Sequence, residues 1–277
     1  MKYVSYTHNG RVTYGHVEGD KVSDLGAISG APADLVAALK ADALASLTAE
    51  ATIPFADIQL LPVVTNPAKI FCVGHNYESH RVETGRAKVG HPSIFLRFAD
   101  TLNSHEGAVL RPKSSTSLDY EAELAIIIGK GGRYISEADA MNHVAGFTCA
   151  NDVSVRDWQW HTTQFAPGKN FPTTCPLGPW MVTPDEIADL NAVSVTSRLN
   201  GQVMQHATLD HLLFPLPVII EYLSGFTMLN PGDVILTGTP GGVGAKREPP
   251  VWMKAGDVIE VEVSGVGLLK NTIIDEA

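Results

Sequence analysis

The strongest signal for the fold of this chain lies in the segment Asp119-Tyr120-Glu121-Ala122-Glu123-Leu124-Ala125-Ile126-Ile127-Ile128. Its unbroken aliphatic run is typical of an interior β-strand. Residues two apart on a strand face the same way, so Glu121 and Glu123 are expected to project together at the start of that run. Two unpaired carboxylates side by side repel each other and are costly to bury. A bound cation with oxygen ligands, Mg²⁺, Mn²⁺ or Ca²⁺ rather than Zn²⁺, would resolve that conflict.

A third carboxylate, Asp152, directly follows another apolar segment, Val144 to Asn151, which also reads as a strand. A strand end is a place where site residues gather, so Asp152 is a candidate third metal ligand. The sequence leaves an alternative open. Glu121 and Glu123 could lie on a solvated strand face, with Asp152 capping the N-terminus of a helix.

Composition narrows the class of protein. The 277 residues include 44% hydrophobic and 18% charged residues, a balance that allows a buried core. The formal net charge is -10, and Lys and Arg do not cluster, which argues against nucleic-acid binding. The apolar runs are too short for a membrane span of roughly 20 residues. Three cysteines without paired spacing, and an N-terminal stretch unlike a signal peptide, predict a cytoplasmic protein without disulfides.

The order of elements predicts a strand-rich α+β protein, because 25 glycines and 17 prolines separate many short Val- and Ile-rich segments. Asn9-Gly10 is expected to close a hairpin. We place a small N-terminal domain at 1–63 and a larger domain at 64–277. Helices are expected at 32–50, 76–85, from Ser136, at 154–163 and after Pro217.

His80 and Glu83 follow the predicted strand Lys69 to Gly74 and share one face if 76–85 is helical. A carboxylate that orients an imidazole and raises its basicity creates a general base for activating water. The alternative is an ordinary surface helix in which Glu83 pairs with an arginine. The segment 76–90 is rich in glycine and polar residues and could act as a mobile lid.

Three further groups of residues are candidates for substrate contacts. The loop Gly238-Thr239-Pro240-Gly241-Gly242-Val243-Gly244 follows a strand and offers backbone N–H groups and a hydroxyl to a carboxylate, although it could be a simple turn. Lys169 could neutralise a substrate oxyanion, or face water. If 154–163 is helical, Arg156 and Gln159 point roughly the same way as Asp152. Motifs for a serine nucleophile, a zinc protease or a P-loop are absent.

Several of these motifs together resemble the fumarylacetoacetate hydrolase family. The resemblance covers residues 64 to about 275 and rests on motifs in the family's order. They are Gly-x-Asn-Tyr-x-x-His-x-x-Glu at 74–83, Asp119-Tyr120-Glu121-x-Glu123, Asn151-Asp152-x-x-x-Arg156-Asp157, Gly168-Lys169, Pro231-Gly232-Asp233 and Thr237-Gly238-Thr239-Pro240.

The resemblance implies a mixed β-sandwich-like roll with a small N-terminal domain, usually in a homodimer. It implies Mg²⁺ or Mn²⁺ on Glu121, Glu123 and Asp152, and a 2-oxo acid substrate. It also implies catalytic roles for His80, Glu83 and Lys169. Substrate contacts are expected from Tyr77, Arg156, Gln159 and Thr239. The run Arg97-Phe98-Ala99-Asp100-Thr101 departs from the family's Lys followed by Pro-Ser, in a segment that borders the pocket in relatives.

The expected reaction is hydrolysis of the C–C bond of an acylpyruvate-like 2,4-dioxo acid through a metal-stabilised pyruvate enolate, with water activated by the His–Glu dyad. A decarboxylase of the oxaloacetate type would form the same enolate without water. An isomerase or hydratase of 2-hydroxymuconate-like acids in aromatic catabolism is a further alternative. The remote alternative is a non-catalytic cation-binding domain, which leaves the dyad and Lys169 without a role.

Overall fold

A computed structural model describes all of residues 1–277 and has the predicted strand-rich α+β character. Its α-helices are short: α1 (Leu35–Lys40), α2 (Glu78–Glu83), α3 (Arg156–Gln159), α4 (Ala166–Lys169) and α5 (Leu216–Phe226). Its strands are β1 (Lys2–His8), β2 (Arg11–Glu18), β3 (Lys21–Asp24), β4 (Ala51–Pro54), β5 (Gln59–Leu60), β6 (Ile70–Gly74), β7 (Ser93–Arg97), β8 (Leu102–Asn103), β9 (Val109–Arg111), β10 (Leu118–Asp119), β11 (Ala122–Ile128), β12 (Val144–Asn151), β13 (Ser154–Val155), β14 (Cys175–Val182), β15 (Ser194–Leu199), β16 (Gln202–Thr208), β17 (Val234–Leu236), β18 (Val258–Val263) and β19 (Gly267–Asp275). None of the helices combines the length and the apolar character that crossing a membrane requires.

Twelve strands form one large mixed sheet in the order β4-β3-β2-β1-β14-β12-β11-β17-β6-β7, with β5 on β1 and β8 on β14. The strand β11 lies near the centre, antiparallel to both of its neighbours. The N-terminal strands belong to the same sheet, because β1 pairs with β14 through Lys2 opposite Val182 and Tyr3 opposite Met181. The division of the chain at residue 64 stays a prediction.

The apolar run of β11 is explained by burial on both faces of the sheet. All of its residues are buried. Leu124 and Ile126 pack in one core with Ile219 of α5, whereas Ala125 and Ile127 pack in a second core with Val36 of α1. A strand covered on both faces carries apolar residues without alternation.

A second sheet of five strands, in the order β16-β15-β18-β19-β9, lies against the large one. Val195 of β15 and Val261 of β18 share the core that contains Leu124. This stacking gives the roll its sandwich-like character. The short ribbon β10–β13 continues from the ends of β11 and β12 and pairs Asp119 with Ser154. The two sheets and this ribbon meet at one end of β11, where the polar residues are concentrated.

The predicted hairpin at Asn9-Gly10 is confirmed, and both residues have positive φ. The helix predicted at 32–50 is too long: α1 ends at Lys40, and Asp42 adopts φ 50°, which a continuing helix cannot accommodate. A 3₁₀ turn at 44–46 and the strand β4 follow.

Three other helix predictions fail in part. The segment 154–163 begins as a strand, because Val155 pairs with Leu118 across the ribbon, and α3 covers only 156–159. The segment after Ser136 forms a 3₁₀ helix rather than an α-helix. Helix α5 begins at Leu216, between the two prolines rather than after them. Pro217 is tolerated there because the first turn of a helix does not use its N–H groups.

Candidate active site and metal centre

Three buried carboxylates lie together where β11 begins and β12 ends. The register pairs Ala122 with Asn151, so Glu121 and Asp152 are adjacent just outside that pair, and the Asp152 N–H donates to the Glu121 carbonyl at 2.8 Å. Glu123 projects on the same side as Glu121. One oxygen from each carboxylate lies within 4.8 Å of the others. A solvated strand face is excluded, because the exposed fractions of Glu121, Glu123 and Asp152 are 5%, 2% and 1%.

Two buried cations contact this group of carboxylates. Lys169 Nζ donates to Glu121 Oε2 at 2.7 Å and to Asp152 Oδ2 at 2.6 Å. Arg156 Nη2 lies 2.6 Å from Glu121 Oε1. Burial alone would lower the pKa of Lys169, but Asp152 and Glu121 outweigh it and raise that pKa. Lys169 is therefore a charged, buried residue, and the alternative in which it faces water is excluded.

Glu123 is the carboxylate with the least compensation. Its Oε2 accepts a hydrogen bond from the Gly238 N–H at 2.6 Å, and it forms no ion pair. Burial and the charges of Asp152 and Glu121 raise the pKa of Glu123 well above its usual range. Burial would also raise the pKa of Glu121, but Arg156 and Lys169 hold that pKa well below its usual range. Three converging oxygen donors, one without a cationic partner, fit a hard divalent cation.

The predicted His–Glu pair is formed on α2. His80 Nδ1 lies 2.7 Å from Glu83 Oε1, and the second oxygen of Glu83 accepts from the Gly242 N–H at 2.8 Å. An ionised carboxylate only accepts, so the shared proton lies on Nδ1 and leaves Nε2 free as a base. The ring of His75 stacks on His80 at 5.2 Å, and burial followed by the charge of His80 lowers the pKa of His75 to about 4. His75 is therefore neutral at neutral pH.

The glycine-rich loop that follows β17 holds α2 in place. In addition to the Glu83 contact, the Gly241 N–H donates to Ser79 Oγ at 3.0 Å. Gly238 adopts φ +111°, and a Cβ there would lie 2.6 Å from the Cβ of Asn76. The loop therefore approaches the segment just before α2 through backbone atoms, which requires glycine at this position.

The catalytic candidates surround a cavity of about 140 Å³ beneath α2. The predicted site residues that line it are His80, Glu121, Glu123, Asp152, Arg156, Gln159, Lys169 and Thr239. Glu83 lies behind His80. The side chain of Tyr77 is fully buried in the main core and does not reach the cavity, so its predicted substrate contact has no support in this geometry.

Residues 69–274 match the family model of the fumarylacetoacetate hydrolase C-terminal domain, which is most of the chain. The chain belongs to the fumarylacetoacetate hydrolase family. The resemblance drawn from the sequence motifs is thereby confirmed, and the protein is an enzyme of that family.

Two members of the family are similar in sequence to this chain over most of its length. An oxaloacetate tautomerase of Xenopus laevis, named fahd2 and mitochondrial, is 44% identical over 220 residues, 79% of this chain and 69% of the relative. The human oxaloacetate tautomerase FAHD2A, also named mitochondrial, is 42% identical over 224 residues, 80% of this chain and 71% of the relative.

Solved structures of the fumarylacetoacetate hydrolase family have the same fold. A Mycobacterium smegmatis protein named HpcE superposes with a TM-score of 0.92 at 33% identity, and both chains are covered completely. A fumarylacetoacetate hydrolase of Exiguobacterium antarcticum gives 0.86 at 32% identity, and a 5-carboxymethyl-2-hydroxymuconate delta-isomerase of M. smegmatis gives 0.83 at 29% identity, again with complete coverage of both chains. The predicted fold class is confirmed.

The departure from the family motif at Arg97 lies beneath the carboxylates. Arg97 is buried, pairs through Nε with Asp152, and donates through Nη1 to Thr174 Oγ1 at 3.0 Å and through Nη2 to the Val153 carbonyl at 2.5 Å. It does not line the cavity, whereas Phe95 of the same strand does. Arg97 therefore orients a predicted metal ligand and has no direct access to the distal end of a substrate.

Asp119 is a buried site residue to which the sequence analysis assigned no role of its own. Its Oδ2 accepts from Arg156 Nε at 2.8 Å, and its two oxygens accept from the N–H groups of Gly244 and Ala245. Asp119 thus fixes both Arg156 and the turn at 244–246. The sequence contains one signal for this role: Asp119 lies two positions before Glu121, and alternate residues share a strand face.

Replacing Arg97 with methionine should lower the free energy of unfolding by about 3 kcal/mol, because it removes a cation from the buried charge of Asp152. The matched control is Arg111→Met. Arg111 pairs with Asp275 at the surface, where 28% and 54% of the two side chains are exposed, and should cost less than about 1 kcal/mol. Urea unfolding of both variants measures the difference, and equal losses would refute a supporting role for Arg97.

Proposed function

We propose that this protein catalyses the interconversion of the keto and enol forms of oxaloacetate. One observation carries the proposal: the Nε2 atom of His80, without a partner in the protein, belongs to a side chain that faces the same cavity as the carboxylates of Glu121, Glu123 and Asp152. A base that can accept and return a proton, next to a site for a 2-oxo carboxylate, is what enolisation requires. The similarity to two proteins named oxaloacetate tautomerase, at 42–44% identity, supports this reaction over others in the family.

His80 has the central role in this reaction. In the direction from keto to enol, Nε2 accepts a proton from C3 and returns it to the oxygen on C2, so no atom is gained or lost. Glu83 holds the ring and stabilises the imidazolium that exists between the two transfers. The neutral His75 stacks on the other face of the ring without adding charge.

The buried cations prepare the site for an anionic substrate. Lys169 provides a positive charge for the oxygen on C2, where negative charge develops as the C3 proton leaves. Arg156 and Gln159 line the cavity and are joined by a hydrogen bond of 2.9 Å, so both are held in place before the substrate enters.

Glu121, Glu123 and Asp152 would hold the divalent cation, with Mg²⁺ or Mn²⁺ preferred and Ca²⁺ possible for an all-oxygen ligand set. When bound, such a cation polarises the 2-oxo group as a Lewis acid. The identity of the metal is part of the proposal.

Hydrolysis of an acylpyruvate is the second candidate, because the same free nitrogen can accept a proton from water. The solved fumarylacetoacetate hydrolase with a TM-score of 0.86 favours it. The cavity of about 140 Å³ is small beside the ~300–1,000 Å³ of typical ligand pockets, which favours a compact acid.

The test is an assay of metal-stripped protein, with and without Mg²⁺ or Mn²⁺, on enol-oxaloacetate and a small acylpyruvate. Tautomerisation predicts metal-dependent loss of the enol absorbance at unchanged mass. Pyruvate and a free acid from the acylpyruvate would indicate hydrolysis, and pyruvate with CO₂ from oxaloacetate would indicate decarboxylation. A 2-hydroxymuconate-like acid is assayed as an additional substrate, and its conversion to a product of the same mass would indicate isomerisation. Silence on every substrate would contradict the proposed catalysis. The homodimer and the cytoplasmic location stay predictions.

A further inference from the structure

The charged side chains around the cavity form a buried group, here called the floor, and an exposed group, here called the mouth. At the floor, each buried cation is already paired: Arg97 with Asp152, Arg156 with Asp119 and Glu121, and Lys169 with Glu121 and Asp152. These cations are therefore already paired within the protein, and only Lys169 is assigned to the substrate, at the oxygen on C2. A second acidic group on a substrate needs partners elsewhere.

Two cations at the mouth meet that need. Arg86 and Lys246 both line the cavity, both are exposed, and neither forms an ion pair in the structure. The Arg86 guanidinium lies 5.9 Å from the ring centre of Phe165, and the Lys246 ammonium has no hydrogen-bond partner within the protein. Glu83, the neighbouring carboxylate on α2, is already engaged by His80 and the Gly242 N–H.

The fold anchors the backbone near both cations. Arg86 follows α2, and Lys246 ends the 3₁₀ turn at 244–246. Helix α2 is bound to the glycine-rich loop, and Asp119 accepts from the first two N–H groups of the turn, at 2.8 and 3.0 Å. Both backbone segments are therefore anchored to the site, and only the long side chains remain to be ordered by a ligand.

We propose that Arg86 and Lys246 bind the second carboxylate of a 2-oxo dicarboxylic acid and make the enzyme selective for dicarboxylates over 2-oxo monocarboxylates. This inference rests on the proposed function for the orientation of the substrate, with its 2-oxo carboxylate end at the floor. Charge-assisted hydrogen bonds from two cations are stronger than neutral ones and are lost when the second carboxylate is absent.

The test compares oxaloacetate with 2-oxobutanoate, which has a methyl group where oxaloacetate has its second carboxylate. Dissociation constants are measured by calorimetry on the Mg²⁺-loaded enzyme for wild type, Arg86→Gln, Lys246→Met and the double variant. Each single change should weaken oxaloacetate about tenfold and leave 2-oxobutanoate within about twofold. In kinetics on oxaloacetate, KM should rise with kcat changed by less than about threefold. The control is Lys88→Gln, which changes an exposed cation two positions after Arg86 that does not line the cavity.

The outcomes separate this inference from the proposed function. An unchanged preference in the double variant, or a wild type that binds both acids equally, would overturn the role of Arg86 and Lys246. Suppose that wild type prefers oxaloacetate, that the variants lose this preference, and that wild type does not tautomerise oxaloacetate. That result would support the dicarboxylate site and refute only the proposed reaction.

Discussion

Replacing His80 with alanine should reduce kcat for enol-oxaloacetate by about 10²–10⁴-fold, the usual contribution of a positioned general acid–base. KM should change little, because the imidazole acts on the C3 proton and the carboxylates and cations of the cavity are untouched. Stopped-flow recording of the enol absorbance measures both parameters. The change should not unfold the protein, because His80 is held mainly by Glu83 on a short helix.

Two companion variants make this result specific. Glu83→Gln keeps an acceptor for Nδ1–H but loses the charge, so its kcat should fall less than that of His80→Ala. His91→Ala removes an exposed ring that stacks on Tyr222 away from the cavity and should retain full activity. If His80→Ala keeps kcat within about threefold, His80 does not carry the proton. If pyruvate formation from oxaloacetate is the reaction and survives His80→Ala, the enzyme is a decarboxylase, since loss of CO₂ needs no base at C3.

The meeting of Glu121, Glu123 and Asp152 could be predicted from the sequence, because two local rules determine where these three carboxylates lie. Residues two apart on a strand share a face, which unites Glu121 and Glu123, and an antiparallel partner that ends opposite Ala122 delivers Asp152. Helical spacing likewise predicted that His80 and Glu83 would meet.

The contacts that sequence analysis missed depend on long-range packing. Arg97 reaches Asp152 across 55 positions, and Lys169 reaches Glu121 across 48. Neither residue has a local pattern that indicates burial, since isolated cations usually face water. Tyr77 shows the opposite case: its place in a motif suggests the cavity, whereas its ring packs in the main core. The extent of helix 32–50 was overestimated because alanine-rich composition does not reveal the left-handed turn at Asp42.

Replacing Glu123 with glutamine should make the protein more stable than wild type without metal and less stable than wild type with metal. In metal-free protein at pH 7, the variant should be more stable by about 1–2 kcal/mol, because an uncompensated buried carboxylate is replaced by a neutral amide. With Mg²⁺ at about 100 times its Kd, wild type should gain about 2.7 kcal/mol and the variant almost nothing. Turnover in the variant should fall below detection. Urea unfolding in EDTA and in Mg²⁺ provides the four free energies.

The free energy of unfolding of metal-free wild type and Glu123→Gln, measured as a function of pH, is a second test of the role of Glu123. The pKa of Glu123 in the folded protein is raised well above its usual range by burial, Asp152 and Glu121, whereas an unfolded Glu has a pKa of about 4.3. Its contribution to stability is therefore fully present below about pH 4.3 and is lost as the pH rises toward the folded-state pKa. The gap between Glu123→Gln and wild type should widen over that interval, while the exposed control Glu50→Gln should follow wild type at every pH. A metal-free variant that is less stable than wild type at pH 7 and equally responsive to Mg²⁺ would mean that Glu123 is neither strained by its neighbours nor a ligand.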